Sequence, residues 1–169
     1  MFEHADLDSL WDDSDYSLDN YVSEPLTDQM IREAQVALGY KLPVSYVCLM
    51  KRHNGGILRR TCCPIDNRFP VMIEGIYGIG RKKPCSLLGF YSTAFWVDEW
   101  EYPDIGIAIA DTPSAGHDMI FLDYRECGRD GEPRVVVVDQ EADYEITVLA
   151  DNFEEFISKL RTDTELGLS

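Results

Sequence analysis

Asp104-Ile105-Gly106-Ile107-Ala108-Ile109-Ala110-Asp111 is followed closely by Gly116-His117-Asp118-Met119-Ile120-Phe121-Leu122-Asp123-Tyr124. Two apolar runs read as strands, and the Pro/Ser/Gly segment between them reads as a turn. Acids sit at both margins. Nothing in the stretch is a catalytic motif. A strand–turn–strand unit flanked by helical periodicities points to an acidic α+β domain.

Working outward, Val135-Val136-Val137-Val138 is an unbroken β-branched run, the pattern of a central strand buried on both faces. Residues 144–149 form another strand candidate. The last helix is expected from Asp151, with Glu154 three residues on as a capping box, and Phe153, Phe156, Ile157 and Leu160 share one face. On the other side of the hairpin, residues 93–100 predict a short aromatic helix. Residues 69–73 and 76–79 are strand-like, and the basic segment Arg81-Lys82-Lys83 follows them.

Two helices precede these strands. The first runs over residues 27–38, capped by Thr27, favoured by Asp28 and ended by Gly39, with Ile31, Ala34 and Leu38 on one face. The second opens at Pro43 and closes at Asn54-Gly55-Gly56, with Val44, Val47, Cys48 and Leu49 expected to be buried. Residues 1–24 form an acidic arm without Lys or Arg, either disordered or docked through Leu7, Leu10 and Trp11. The expected organisation is this arm, a domain over residues 25–162 and a frayed tail over residues 163–169.

The chain has 169 residues, enough for one domain with a sizeable core. It carries 31 acids against 15 bases, a net charge of −16. Such a field repels phosphate backbones, so direct nucleic-acid binding is not expected, whereas a basic protein partner is. Charge for solubility alone is the plainer alternative. The opening residues lack a basic start and an apolar h-region, and no run has the length of a membrane span. A cytoplasmic location without membrane contact is therefore expected. Cys48, Cys62, Cys63, Cys85 and Cys127 are odd in number and irregular in spacing, which suits reduced thiols and core fillers. A structural zinc site is the alternative, although no C-x₂-C half-site is present.

Several motifs share an order along the chain. Leu42-Pro43 opens a helix that Asn54-Gly55-Gly56 closes, and Tyr77-Gly78-Ile79-Gly80 follows. Then come strands over 105–110 and 119–123 with Gly116 and Asp118 between them, Pro133 to Asp139, and Phe153-Glu154-Glu155-Phe156. This order resembles the SMI/KNR-like family of the SUKH superfamily of bacterial immunity proteins, over roughly residues 26–160. His117, standing between Gly116 and Asp118, departs from the family's direct Gly-Asp, and the acidic arm lies outside the pattern. The resemblance implies an α+β fold with a mostly antiparallel sheet and helices packed on it. It also implies a binding role without catalytic residues or a cofactor. Many bacterial members resemble immunity proteins that neutralise polymorphic toxins, often nucleases, and eukaryotic relatives are linked to cell-wall regulation.

The candidate site residues divide accordingly. His4, His53 and His117 are scattered, and His53 suits the end of its helix. A metal or acid–base cluster of His117 with Asp111, Asp118 and Cys127 competes with simple turn chemistry. Gly75, Gly78 and Gly80 have the wrong order for a dinucleotide fingerprint. Phe95 and Trp96 read as a core helix face. Trp100 with Glu99, Glu101 and Asp104 reads as an interface for a basic partner, and Trp11 with Asp12, Asp13 and Asp15 as a second one. The expectation is a non-enzymatic immunity protein that masks a basic toxin domain. A regulatory adaptor for another protein, or a small enzyme using His117, Asp118 and Asp123, are the alternatives.

Overall fold

The computed structural model describes residues 1–3 and 6–168, so His4 and the last residue of the tail lie outside the described residues. In chain order it starts with β1 (Trp11–Asp12), α1 (Asp15–Asn20), α2 (Asp28–Leu38) and α3 (Val44–Arg52). Four short strands follow: β2 (Gly56–Leu58), β3 (Cys62–Cys63), β4 (Val71–Met72) and β5 (Gly75–Ile76). Then come α4 (Thr93–Trp100), β6 (Gly106–Asp111), β7 (Asp118–Asp123), β8 (Arg134–Asp139), β9 (Glu145–Ala150) and α5 (Phe153–Lys159). Seven strands form one sheet in the order β1-β2-β5-β6-β7-β8-β9, with antiparallel neighbours throughout, and β3 pairs with β4 separately. The fold is α+β, as the resemblance implies.

The opening stretch forms the β6–β7 hairpin, with Ile107 opposite Leu122 and Ala108 opposite Phe121. The register shifts between Ala108 and Ala110, a bulge. The Ala108 N–H donates instead to Thr93 Oγ1 at 2.9 Å, which fastens the start of α4 to the sheet. Val135 to Val138 are buried in β8, between β7 and β9. Their burial despite strict alternation of side chains means that both faces are covered. On one of them α5 packs beside α3, where the rings of Tyr46 and Phe153 meet edge to face at 5.0 Å.

The ends of α2 follow from sequence chemistry. The Thr27 side chain accepts the Met30 N–H, and Gly39 takes the left-handed conformation. In α3 the buried face is Tyr46, Leu49 and Met50, while Val44 is exposed and Val47 and Cys48 are only partly covered. The helix presents a narrower stripe to the core than its apolar content suggests. The cap of α5 is Asn152, not Asp151: its side chain accepts the Glu155 N–H, and Glu155 reaches back to the Asp151 N–H. The strand expected over 69–73 shrinks to Val71–Met72, and Phe69 is exposed. The strand expected over 76–79 shrinks to Gly75–Ile76.

A buried side chain shapes that last region. Asn54 Nδ2 donates to the carbonyls of Glu24 and Ile79, and Asn54 Oδ1 accepts the Ile79 N–H. One amide thus joins the end of the arm, the Asn54-Gly55-Gly56 turn and the segment after β5. Gly78 permits the approach, because a Cβ there would lie 2.3 Å from the Asn54 carbonyl oxygen.

The arm is docked. Leu7, Leu10 and Trp11 are buried, and Trp11 and Asp12 pair with Leu58 and Ile57 at the sheet edge. Residues 163–167 form turns, with Arg60 paired to Glu165 at 3.1 Å and Cys62 Sγ bonded to Asp163 Oδ1 at 3.0 Å.

Candidate functional site

A cleft of about 590 Å³ opens where the arm, β5, α4 and the end of β6 converge. Its aromatic walls are Tyr16, Tyr21, Tyr77, Tyr91, Phe95, Trp96 and Trp100, and it also holds Glu74, Cys85 and Asp111. Among the described residues no Lys, Arg or His lines it. This is the chemistry of a binding site: apolar area for affinity and a few polar groups for orientation.

Each wall has a local cause. Ser14 caps α1 by accepting the Ser17 N–H, and Ser17 Oγ accepts the Ile57 N–H, so the helix carrying Tyr16 is tied to β2. Tyr21 follows at the end of α1 and lies flat over β5. A Cβ on Gly75 would come within 2.3 Å of its ring, so glycine makes room for it. Its hydroxyl donates to Asp111 Oδ2 at 2.6 Å. From α4, Trp96 donates its indole N–H to the Tyr91 carbonyl at 2.9 Å. Tyr91, Phe95 and Trp96 form a contiguous ring cluster that ends at exposed Phe90, whose ring lies 4.9 Å from Tyr91.

The two carboxylates are neighbours across the β5–β6 pairing. The Glu74 N–H donates to the Asp111 carbonyl at 2.9 Å, and the Gly75 N–H donates to Asp111 Oδ1 at 3.2 Å. Burial pushes the Asp111 carboxyl up to about 7; Glu74 adds to this, while the Tyr21 hydrogen bond opposes it. Burial also raises Glu74. Among the described residues the Glu74 carboxylate has neither a hydrogen bond nor an ion pair. Burial pushes the Cys85 thiol up to about 12, with Asp111 adding to the effect, which keeps it a neutral thiol in the wall.

The residues expected to face a partner are distributed differently. Trp100 is half-buried and lines this cleft, while Glu99, Glu101 and Asp104 are exposed outside its lining. Trp11 is only 9% exposed. It stacks on His53 with ring centroids 4.5 Å apart, and Asp13 Oδ1 lies 2.8 Å from His53 Nε2. Trp11, expected with its acids as a second partner surface, is thus held in a contact between the arm and the end of α3; Asp12 sits in β1 and Asp15 is exposed. Phe95 is partly buried and Trp96 buried, as read.

The imagined His117 cluster is not assembled. Asp111 bonds Tyr21, and Asp118 closes its turn through Thr112 and Ser114. Cys127 contacts the Tyr124 and Gly128 carbonyls, and His117 faces Gln140. Asp123, at the far end of β7, pairs with Arg125 and Arg134. Among the described residues no three His, Cys, Asp or Glu side chains group around a metal-sized point. All five cysteines are free thiols. No helix among the described residues is long and apolar enough to cross a membrane.

Sequence reasoning missed Tyr16, Tyr21, Glu74, Tyr77 and Tyr91. One signal was available: Glu74 is a lone acid inside the apolar run Val71-Met72-Ile73-Glu74-Gly75-Ile76-Tyr77. A charge in such a run needs a reason.

Comparison with protein families gives one match. The model of the SMI1 / KNR4 family (SUKH-1) covers residues 25–159. No curated protein matches the chain. The matched span includes Glu74, Asp111 and α4 but not Tyr16 or Tyr21, so the arm's wall of the cleft lies outside it.

Proposed function

The chain belongs to the SMI1 / KNR4 family, a family of immunity-type proteins, and from that premise we propose that it is a non-enzymatic immunity protein. It binds a cognate toxin domain and neutralises it by stoichiometric masking of a basic surface. The observation that supports this reading is the cleft, which offers aromatic walls and two carboxylates with no cationic side chain among the described residues of its lining. A basic partner complements both the cleft and the net charge of −16. Masking needs no chemistry from the protein, only that the complex outlast encounters between toxin and substrate.

The test is co-expression with a candidate toxin domain encoded beside this gene in its genome. A one-to-one complex and rescue of growth are expected. Absence of both would sink the immunity reading and favour an adaptor with another protein partner.

A further inference from the structure

We propose that the cleft between the arm and the family-matched domain is a socket for one arginine side chain of the partner protein, with Glu74 and Asp111 receiving the guanidinium. This rests on the binding role proposed above and names what the site takes. Three observations carry it. First, two neighbouring carboxylates line one cleft with no basic side chain beside them, and Glu74 has no partner among the described residues. Second, the surrounding walls are aromatic, and π faces attract cations. Third, the volume of about 590 Å³ exceeds that of a water or metal site and admits a long side chain with part of its backbone.

A guanidinium suits this lining better than an ammonium. It is planar and weakly hydrated, it stacks on rings, and its fork of donors serves two carboxylates at once. Asp111 is already oriented: the Tyr21 hydroxyl and the Gly75 N–H each hold one of its oxygens, and each oxygen keeps a further lone pair for a guanidinium. Glu74 is the free acceptor. Tyr16, 58% exposed on the arm, is part of the lining, so the segment outside the family match contributes to what the cleft takes. The groups facing Asp111 are Tyr21, Tyr77, Glu74 and Cys85, of which only Glu74 is an acid. A bound guanidinium supplies the missing positive charge and favours the ionised form of both acids.

The test uses the full chain and three small probes in an NMR titration: N-acetyl-arginine amide, N-acetyl-lysine amide and N-acetyl-citrulline amide. Citrulline has the arginine shape without its charge. The arginine probe should shift the Gly75 amide and the Trp96 and Trp100 indole signals. The lysine probe should bind several-fold more weakly, and the citrulline probe not measurably. Glu74→Gln breaks no hydrogen bond of the fold and should weaken the arginine probe by about tenfold. Asp111→Asn is the second variant, should the first perturb β5. Equal binding of arginine and citrulline probes would overturn the socket. So would arginine binding unchanged in both variants, or a site that takes calcium ion and not the arginine probe. Arginine binding without any toxin complex would keep the socket and sink the immunity reading. A toxin complex unaffected by Glu74→Gln, with no arginine-probe binding, would do the reverse.

Discussion

Tyr21 donates its hydroxyl to Asp111 Oδ2 at 2.6 Å, and this bond joins the arm to the end of the hairpin strand β6. The bond is made to a carboxyl that burial has pushed up to about 7. Its folded value therefore lies above the ordinary value of 3.8. The folded state holds this proton more tightly than the unfolded chain, so the stability linked to it is complete below about pH 4. It is lost as pH rises towards 7 and above.

Asp111→Asn removes that loss while keeping an amide that can meet the Tyr21 hydroxyl and the Gly75 N–H. The variant should gain stability relative to the parent as pH rises from 4 to 8, by up to about 4 kcal/mol across the window. Melting curves of both proteins across that range check this. Parallel stability profiles would show that Asp111 does not titrate near neutrality.

Asp123 has the opposite sign. Its side chain is buried, which pushes the carboxyl up, but hydrogen bonds from Arg125 and Arg134 outweigh burial and hold it below the ordinary range. Its stability contribution is present above about pH 4 and lost as pH falls through the lowered folded value. Asp123→Asn gives two guanidinium groups one neutral amide oxygen in place of their shared carboxylate and should cost about 2–4 kcal/mol at pH 7. The deficit should shrink in acid. A denaturant titration at pH 7 and pH 3 measures both, and an equal deficit at the two values would refute the linkage.

Val136 tests the strand order. It lies opposite Phe121 on β7 and Val148 on β9 and is fully buried. Val136→Asp would bury an unpaired charge in the core against one face of the sheet and should unfold or insolubilise the protein. A soluble variant with an unchanged melting curve would remove β8 from the core.

The parts of this fold that the sequence discloses are those decided locally. Thr27 and Gly39 bound α2, residues 93–100 form α4, and the valine run becomes β8. The two-residue strands β1 and β5 carry too few residues to show a period. They exist because of distant partners: Trp11 stacks on His53, and Asn54 bridges Glu24 and Ile79. An acidic-aromatic arm has the same composition docked or free, so only the tertiary contact distinguishes them. The cleft was hidden for the same reason. Its walls come from the arm, β5, the segment before α4, α4 itself and the end of β6, and no spacing along the chain connects them. Trp100 was legible as an exposed-type aromatic among acids, but its place in a cleft beside Tyr91 and Asp111 was not.

The proposed toxin complex should form at a rate that falls steeply with salt. The net charge of −16 creates a long-range attraction for a basic partner, and salt shortens its reach to about 8 Å at physiological strength. Glu99, Glu101 and Asp104 are exposed and stand outside the cleft lining, where they can steer without being desolvated. Neutralising all three should slow association several-fold at low salt and change dissociation little. Trp100 differs. It is half-buried, its ring lies 5.4 Å from Trp96, and its carbonyl accepts from the Tyr144 hydroxyl at 2.6 Å. A side chain so fixed can act as a preorganised anchor, and anchors govern release. Trp100→Ala should therefore raise the dissociation rate, by about tenfold or more, and leave the salt slope of association intact. Stopped-flow or surface-immobilised kinetics against the toxin domain that forms the complex, across a salt series, separate the two effects. A salt-independent association rate would exclude steering. If Trp100→Ala slowed association instead and left dissociation alone, the tryptophan would belong to the encounter and not to the anchored complex.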